Sequence, residues 1–167
     1  EDLNAPATNA SNVAAKRSAG GSDFTEGSWT NGGSPYFSWD AGSDAGSGIY
    51  GYCLYLGADS SADVTTTKGL LGVSPVNPGL ACQYITQDTN VDLALVNALS
   101  APLATSTDSY YLLVKAIDRA GNVSASTEVF DFRFDNTPPA NPGFISSPSG
   151  FINTKDATLT WPTSGGQ

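Results

Sequence analysis

Chemistry in this 167-residue chain has to come from carboxylates, hydroxyls and two thiols, because it holds no His. Without imidazole there is no Ser-His-Asp triad, no Cys-His nucleophile and no histidine metal ligand. The two Cys, Cys53 and Cys82, are too few to build a thiolate zinc site alone. The carboxylates offer more. Asp40 and Asp44 stand in Trp39-Asp-Ala-Gly-Ser-Asp-Ala-Gly-Ser-Gly48. Spaced acids with glycines between them can wrap Ca2+, which takes roughly six to eight oxygen ligands. Asp118, Asn122, Asp135 and Asn136 are further oxygen donors near turns or a linker. The spacing is not that of an EF-hand loop, and the same side chains serve equally well as turn caps that need no metal. Both readings stay open at this level. Paired carboxylates also carry glycoside hydrolysis. No Asp or Glu here lies in an apolar run that would raise its pKa, so they read as solvated surface acids.

Composition narrows the field. Sixteen Asp+Glu against seven Lys+Arg leave a net charge of −9. That balance argues against a nucleic-acid partner, which needs clustered Lys and Arg. No apolar run approaches the ~20 residues of a membrane span. The chain reads as an acidic, non-enzymatic, extracellular β protein of one domain or slightly more.

The elements that must position these residues are short strands between Gly, Pro, Asn, Asp and Ser clusters. Strands are expected at Pro35–Trp39, Ile49–Leu56, Ala81–Thr86, Tyr110–Ile117 and Val123–Phe134. A weaker pattern, Leu93, Val96 and Leu99, makes Val91–Leu103 the best helix candidate. Asp118-Arg-Ala-Gly-Asn122 reads as a hairpin turn in which Gly121 takes positive φ without steric cost. In the last strand Phe130, Phe132 and Phe134 alternate with Asp131 and Arg133, so one face meets the core. Along Ile49–Leu56 the alternation puts Tyr50, Tyr52, Leu54 and Leu56 on one face. Ile49, Gly51, Cys53 and Tyr55 fall on the other. Neither face is polar, so both are expected to be covered. Tyr50, Tyr52 and Tyr55 with Trp29 and Trp39 are thus core residues first and a sugar-stacking platform second.

An internal repeat organises the chain. Asn31, Phe37, Ser38 and Trp39 match Asn153, Leu159, Thr160 and Trp161 at an offset of 122, and Trp29 matches Phe151. Pro6-Ala7 matches Pro139-Ala140 at an offset of 133. Residues 1–136 are expected to form one full repeat and residues 137–167 the linker and opening strands of a second. Three prolines between Asn136 and Pro142 make a semi-rigid connector. With Glu1 first and no Met anywhere, the expectation is a piece of a longer protein.

Three segments carry a family signature. They are Ser38–Tyr52 with its acidic Gly/Ser turn, Tyr110–Asn122 ending in Asp-Arg-Ala-Gly-Asn, and Phe134-Asp-Asn-Thr-Pro-Pro139. Together they resemble the bacterial immunoglobulin-like and fibronectin type III-like repeats of large surface proteins. The resemblance implies an antiparallel immunoglobulin-like β-sandwich. It makes Trp39 and Trp161 the buried aromatics of successive repeats. Tyr110 becomes a corner tyrosine whose hydroxyl bonds nearby backbone.

Against that family, residues 57–80 are an insertion, and residues 14–28 look inserted too. Cys53 and Cys82 flank the first of these. They are expected to form a disulfide that staples it, against the alternative of two free thiols in a cytosolic protein. Lys115 falls on the face opposite Leu112, Val114 and Ala116, which argues against an isopeptide crosslink. Asn9-Ala-Ser11 and Asn122-Val-Ser124 match the N-glycosylation pattern.

The implied function is a structural repeat of a bacterial cell-surface or secreted protein: a spacer, a surface-layer unit or a filament unit. Its partners would be neighbouring repeats or copies of itself. The alternatives are an adhesion module that binds a glycan or host surface protein through the 57–80 insertion, and an accessory domain of an extracellular hydrolase. No cofactor is expected beyond the Ca2+ candidate.

Overall fold

The computed structural model describes residues 2–76, 80–95 and 97–143, with Asn153, Lys155 and Thr158 beyond them. Phe151, Leu159, Thr160 and Trp161 of the expected second copy lie outside the described residues. By its contacts the chain divides into two units, Glu1–Asn136 and Thr137–Gln167.

The described residues hold no helix. Nine strands are found among them, all in the first unit: β1 (Ser11–Lys16), β2 (Asp23–Phe24), β3 (Trp29–Thr30), β4 (Tyr36–Asp40), β5 (Ile49–Gly57), β6 (Ile85–Thr86), β7 (Asn90–Asp92), β8 (Tyr110–Asp118) and β9 (Glu128–Phe134). They form two sheets, in the orders β2-β1-β4-β7 and β3-β9-β8-β5-β6. All pairings are antiparallel except β3 with β9.

The inner faces of both sheets meet in one core, as in a β-sandwich. Phe37 and Trp39 of β4 and Val91 of β7 face Leu54, Leu56, Leu112, Val114, Phe130, Phe132 and Phe134 of the other sheet. Edge-on ring pairs run through its middle: Phe24 lies 5.8 Å from both Phe130 and Phe132, and Phe37 lies 5.7 Å from Phe130. The alternating pattern of β9 places its three Phe inward, which is what a period of two requires.

β5 and β8 differ from the other strands because both of their faces are buried. Leu113 and Ile117 of β8, with Cys53 and Tyr55 of β5, point away from the sandwich interior. They form a second core with Ala62, Val64, Cys82 and Ile85. An antiparallel sheet ordinarily leaves one face to water. Here the segment between β5 and β6 covers it, as the apolar character of both faces implied.

The expected face assignment fails at the start of β5. The register shifts between Ile49 and Gly51. A bulge adds one unpaired residue and moves what precedes it to the opposite face. Tyr50 therefore packs on the second core and Ile49 on the first.

Residues 14–28, which look inserted in sequence, are built into the first sheet: Ala15 pairs with both Phe24 and Phe37 and buries itself in the main core. Two other expectations change. In the segment Ala81–Thr86 only Ile85–Thr86 is strand. Val91–Leu103 is not a helix: β7 occupies its start, and turns bonded within Asp92–Ala98 come after it.

The last hairpin is also interrupted. β9 pairs with β8 only up to Val114–Glu128, after which the bridge Ile117–Val123 stands alone. The Asn9 side chain fills the gap. Its amide accepts from Ala116 N at 2.6 Å and donates to Val114 O at 3.0 Å, so a side chain replaces the missing ladder partner. The Ser124 hydroxyl donates to the same amide oxygen.

Phe132 is fully buried, whereas Val129 on the same strand is 38% exposed. Phe132→Ala is expected to cost about 3–5 kcal/mol and Val129→Ala less than about 1 kcal/mol. Urea unfolding followed by tryptophan fluorescence measures both.

Candidate functional site

Two places gather polar residues. The first is the end of the sandwich where β5 begins and β8 ends. The loop 41–48 and the turn 118–122 lie side by side there, with Arg119 N donating to Gly48 O at 3.0 Å. Gly121, at φ 93°, makes the turn possible, and Asp118 N closes it on Asn122 O. Asp118 is fully buried, and both its oxygens are occupied: one accepts from Asn122 N at 2.8 Å, the other from Asn122 Nδ2 at 2.9 Å.

The N-terminal segment lies against this pair of loops. Asn122 Nδ2 donates to the carbonyls of Asp2 and Asn4. Asp2 in turn accepts from Asn4 N and from Ser47 N. Asp44 accepts from Gly48 N at 2.7 Å.

Asp2, Asp44 and Asp118 thus bring one carboxylate oxygen each within 4.8 Å of one another. Of the residues expected from sequence to hold Ca2+, the fold brings together Asp44, Asp118 and Asn122. Asp40 instead accepts from Asn12 Nδ2. Asp135 follows Phe134 at the other end of β9, where Thr105 Oγ1 approaches it at 3.4 Å. Asp2 escaped sequence reasoning. The offset of 133 that pairs Pro6-Ala7 with Pro139-Ala140 also pairs Asp2 with Asp135, and this was the available signal.

The cluster closes as a hydrogen-bonded latch. Backbone and amide N–H groups answer its carboxylates, as turn capping requires. A hard cation placed there would take one oxygen from each of the three acids. Asn9 and Asn122, the residues matching the glycosylation pattern, both spend their side-chain amides inside the fold.

The second place is the loop of residues 57–80, expected from sequence to be an insertion and so called below. Cys53 and Cys82 form a disulfide, with Cα atoms 5.5 Å apart. It ties β5 to the return of the insertion. Inside the loop Asp59 and Asp63 each accept from the backbone and hydroxyl of the residue two further on, Ser61 and Thr65. Lys115 points to this side, where its charge acts on Asp63. The loop is also sewn to its surroundings by backbone. Leu70 N donates to Leu56 O, Gly72 N to Ala98 O, and Val73 N to Asn97 O.

The aromatic residues do not form an exposed platform. Trp39 and Tyr52 pack edge to face at 5.4 Å in the main core, and Tyr55 lies in the second. Trp29 is exposed and carries Arg133 over its ring at 5.8 Å. Tyr110 stacks on Phe132, and its hydroxyl donates to Ala104 O at 2.9 Å. Among the described residues no helix is long and apolar enough to cross a membrane.

Comparison with family models and with curated proteins finds no match to this chain.

Replacing both cysteines by Ala is expected to cost about 3–4 kcal/mol, given a closed loop of 29 residues in the chain-entropy model. Amide exchange should accelerate first over residues 58–76, with β9 still protected. Equal acceleration in both would show that the insertion has no independent opening.

Hydrogen bonds from Asn4 N and Ser47 N hold Asp2 below the ordinary carboxylate range. Those from Ser61 and Thr65 do the same for Asp59 and Asp63. A depressed folded-state pKa stabilises the fold above the unfolded value and stops doing so as pH falls through the folded one. Carboxyl NMR titration should therefore give all three midpoints below those of a short peptide. Release of residues 2–4 from the latch should accompany the Asp2 midpoint.

Proposed function

We propose that the chain is a non-enzymatic structural repeat of a bacterial surface or secreted protein, an immunoglobulin-like or fibronectin type III-like sandwich followed by the opening strands of a second one. One observation carries the reading. The first unit receives its chain at one end and releases it at the other. Asp2 is latched beside Asp118, where β8 ends. Asp135 follows β9 beside Thr30, whose carbonyl accepts from its N–H, and β8 begins there with Tyr110 opposite Phe132. The nine residues of β8 span roughly 26 Å at the strand rise. Ends set apart along the strand axis suit a unit strung head to tail with others.

The strand order supports the immunoglobulin-like part. β4 and β5 follow each other in sequence yet lie in different sheets, and β3 leaves the sheet of β1 and β2 to pair parallel with β9. The exit is braced too: Thr105 Oγ1 donates to Asn136 Oδ1 at 2.9 Å and accepts from Asn136 N. The Thr-Pro-Pro beyond it favours a short, stiff connector. A buried disulfide is compatible with an oxidising exterior.

Thiol trapping tests the proposal in the cells that make the protein. Alkylation before lysis, followed by peptide mass spectrometry, should find Cys53 joined to Cys82 in material that externally added protease can reach. Reduced cysteines in the soluble cytosolic fraction would sink it.

A further inference from the structure

The sandwich carries a cleft of mixed apolar and polar lining on the insertion side that the structural-repeat reading does not use. Two adjoining cavities, of about 240 and 280 Å³, share Val73, Ser74 and Tyr84 as a common wall. One lip is the insertion at Val73. The other is the turn after β7, with Leu95 and Asn97.

Tyr84 is the reason to read this cleft as a site. Its ring is buried, with 6% of the residue exposed, and no described residue bonds its hydroxyl. A buried tyrosine normally finds a partner for that group. Among the described residues Trp39 Nε1 is the one fully covered side-chain polar atom without a partner. The Tyr84 oxygen therefore keeps access to open space, and the space Tyr84 lines is the cleft. Burial pushes the phenol up, so it stays protonated and able to donate.

The rest of the cleft has a matching character. Val73 is 70% exposed and Leu95 65%, two of the most exposed large apolar side chains described, and both line the larger cavity. Asp88 and Asp92 add carboxylates there; the larger cavity has no Lys or Arg in its lining, and Lys68 lines the smaller one. Asn97 holds φ 65°, a left-handed backbone unusual for a residue other than glycine.

The lips are tied to each other through Gly72 and Val73, whose N–H groups donate to Ala98 O and Asn97 O. Ser74 Oγ donates to Ile85 O and accepts from Ile85 N, three residues from Cys82. A cleft braced in this way loses little entropy when a ligand enters.

We propose that this cleft binds a neutral saccharide, its C–H face against Val73 and Leu95 and its hydroxyls on Tyr84, Asp88, Asp92 and Asn97. Binding pockets characteristically combine apolar walls with a few placed polar groups, and a pyranose offers both surfaces. In the larger cavity, where Val73 and Leu95 lie, Asp88 and Asp92 repel anionic sugars and phosphates. The site is independent of the structural-repeat reading, since a repeat can carry such a cleft or lack one.

The test is two-dimensional NMR of the full chain. The probes are glucose, galactose, N-acetylglucosamine and their β-linked disaccharides at millimolar concentration, with a Lys-rich hexapeptide as the cationic competitor. At least one sugar should give saturable shifts centred on Val73, Tyr84, Asp88 and Leu95. Tyr84→Phe keeps the ring and should weaken that sugar about fivefold or more. Leu95→Asp, at an exposed position, should abolish binding without moving the thermal midpoint. Three outcomes would overturn the proposal: no saturable shift with any sugar, shifts at the cleft with the peptide alone, or sugar binding indifferent to both substitutions.

Discussion

The outer face of the β5–β8 pair is the constraint on which the rest of the structure depends. Those two strands are apolar on both sides, and water cannot be left on the second side without exposing Leu113, Ile117 and Tyr55. A cover is therefore obligatory, and the segment between β5 and β6 supplies it through Ala62, Val64 and Cys82, with Ile85 of β6 beside them. The cover is too small to fold on its own apolar content. Cys53 fastens it from within the sheet that it covers. The disulfide thus does more than shorten a loop: it holds a second core against the first through the strands that both share.

The parts of the fold that local pattern dictates were legible in the sequence. Phe130, Phe132 and Phe134 announce an inward face, Asp118–Asn122 a turn, and Cys53 and Cys82 a staple around an insertion. The features that escaped depend on events that alternation cannot show. A single bulge between Ile49 and Gly51 exchanges the faces of Ile49 and Tyr50, because period-two reasoning breaks wherever one residue goes unpaired. Residues 14–28 look inserted when set against a family pattern, a comparison that does not show that Ala15 and Phe24 bury an edge of the first sheet. The site was legible by halves. Asp44 and Asp118 stand out in Gly-rich turns. Asp2, far from both in sequence, joins them only through the packing of the N-terminal segment; the repeat offset marks Asp2 but does not place it beside them.

Side chains acting as backbone are a recurring device here. Asn9 stands in for a missing strand partner of β8, and Asn122 ties the N-terminal carbonyls to the last hairpin. Both sit where β9 has left the ladder, and both convert a defect in pairing into a fixed attachment for the incoming chain. A buried polar group that is fully answered rigidifies its surroundings; one left unanswered costs stability. The contrast with Tyr84 is instructive. The polar side chains at the latch are met from within the protein, whereas the Tyr84 hydroxyl is met only by the cleft.

This arrangement also decides how the unit would respond to a pull along its length. Force applied between Asp2 and Asp135 runs parallel to the long strands, because the two points lie at opposite ends of β8. Hydrogen bonds across β8–β9 and β1–β4 would then be loaded together rather than one after another. The insertion would stay outside the load path. Tension on the main chain reaches Cys53 and passes through the sulfurs to Cys82, so the residues between them cannot extend while the bond is intact. Under such a pull, a long loop on the flank of the sandwich would ordinarily be its weakest part. While intact, the disulfide removes residues 54–81 from the chain that would carry the force.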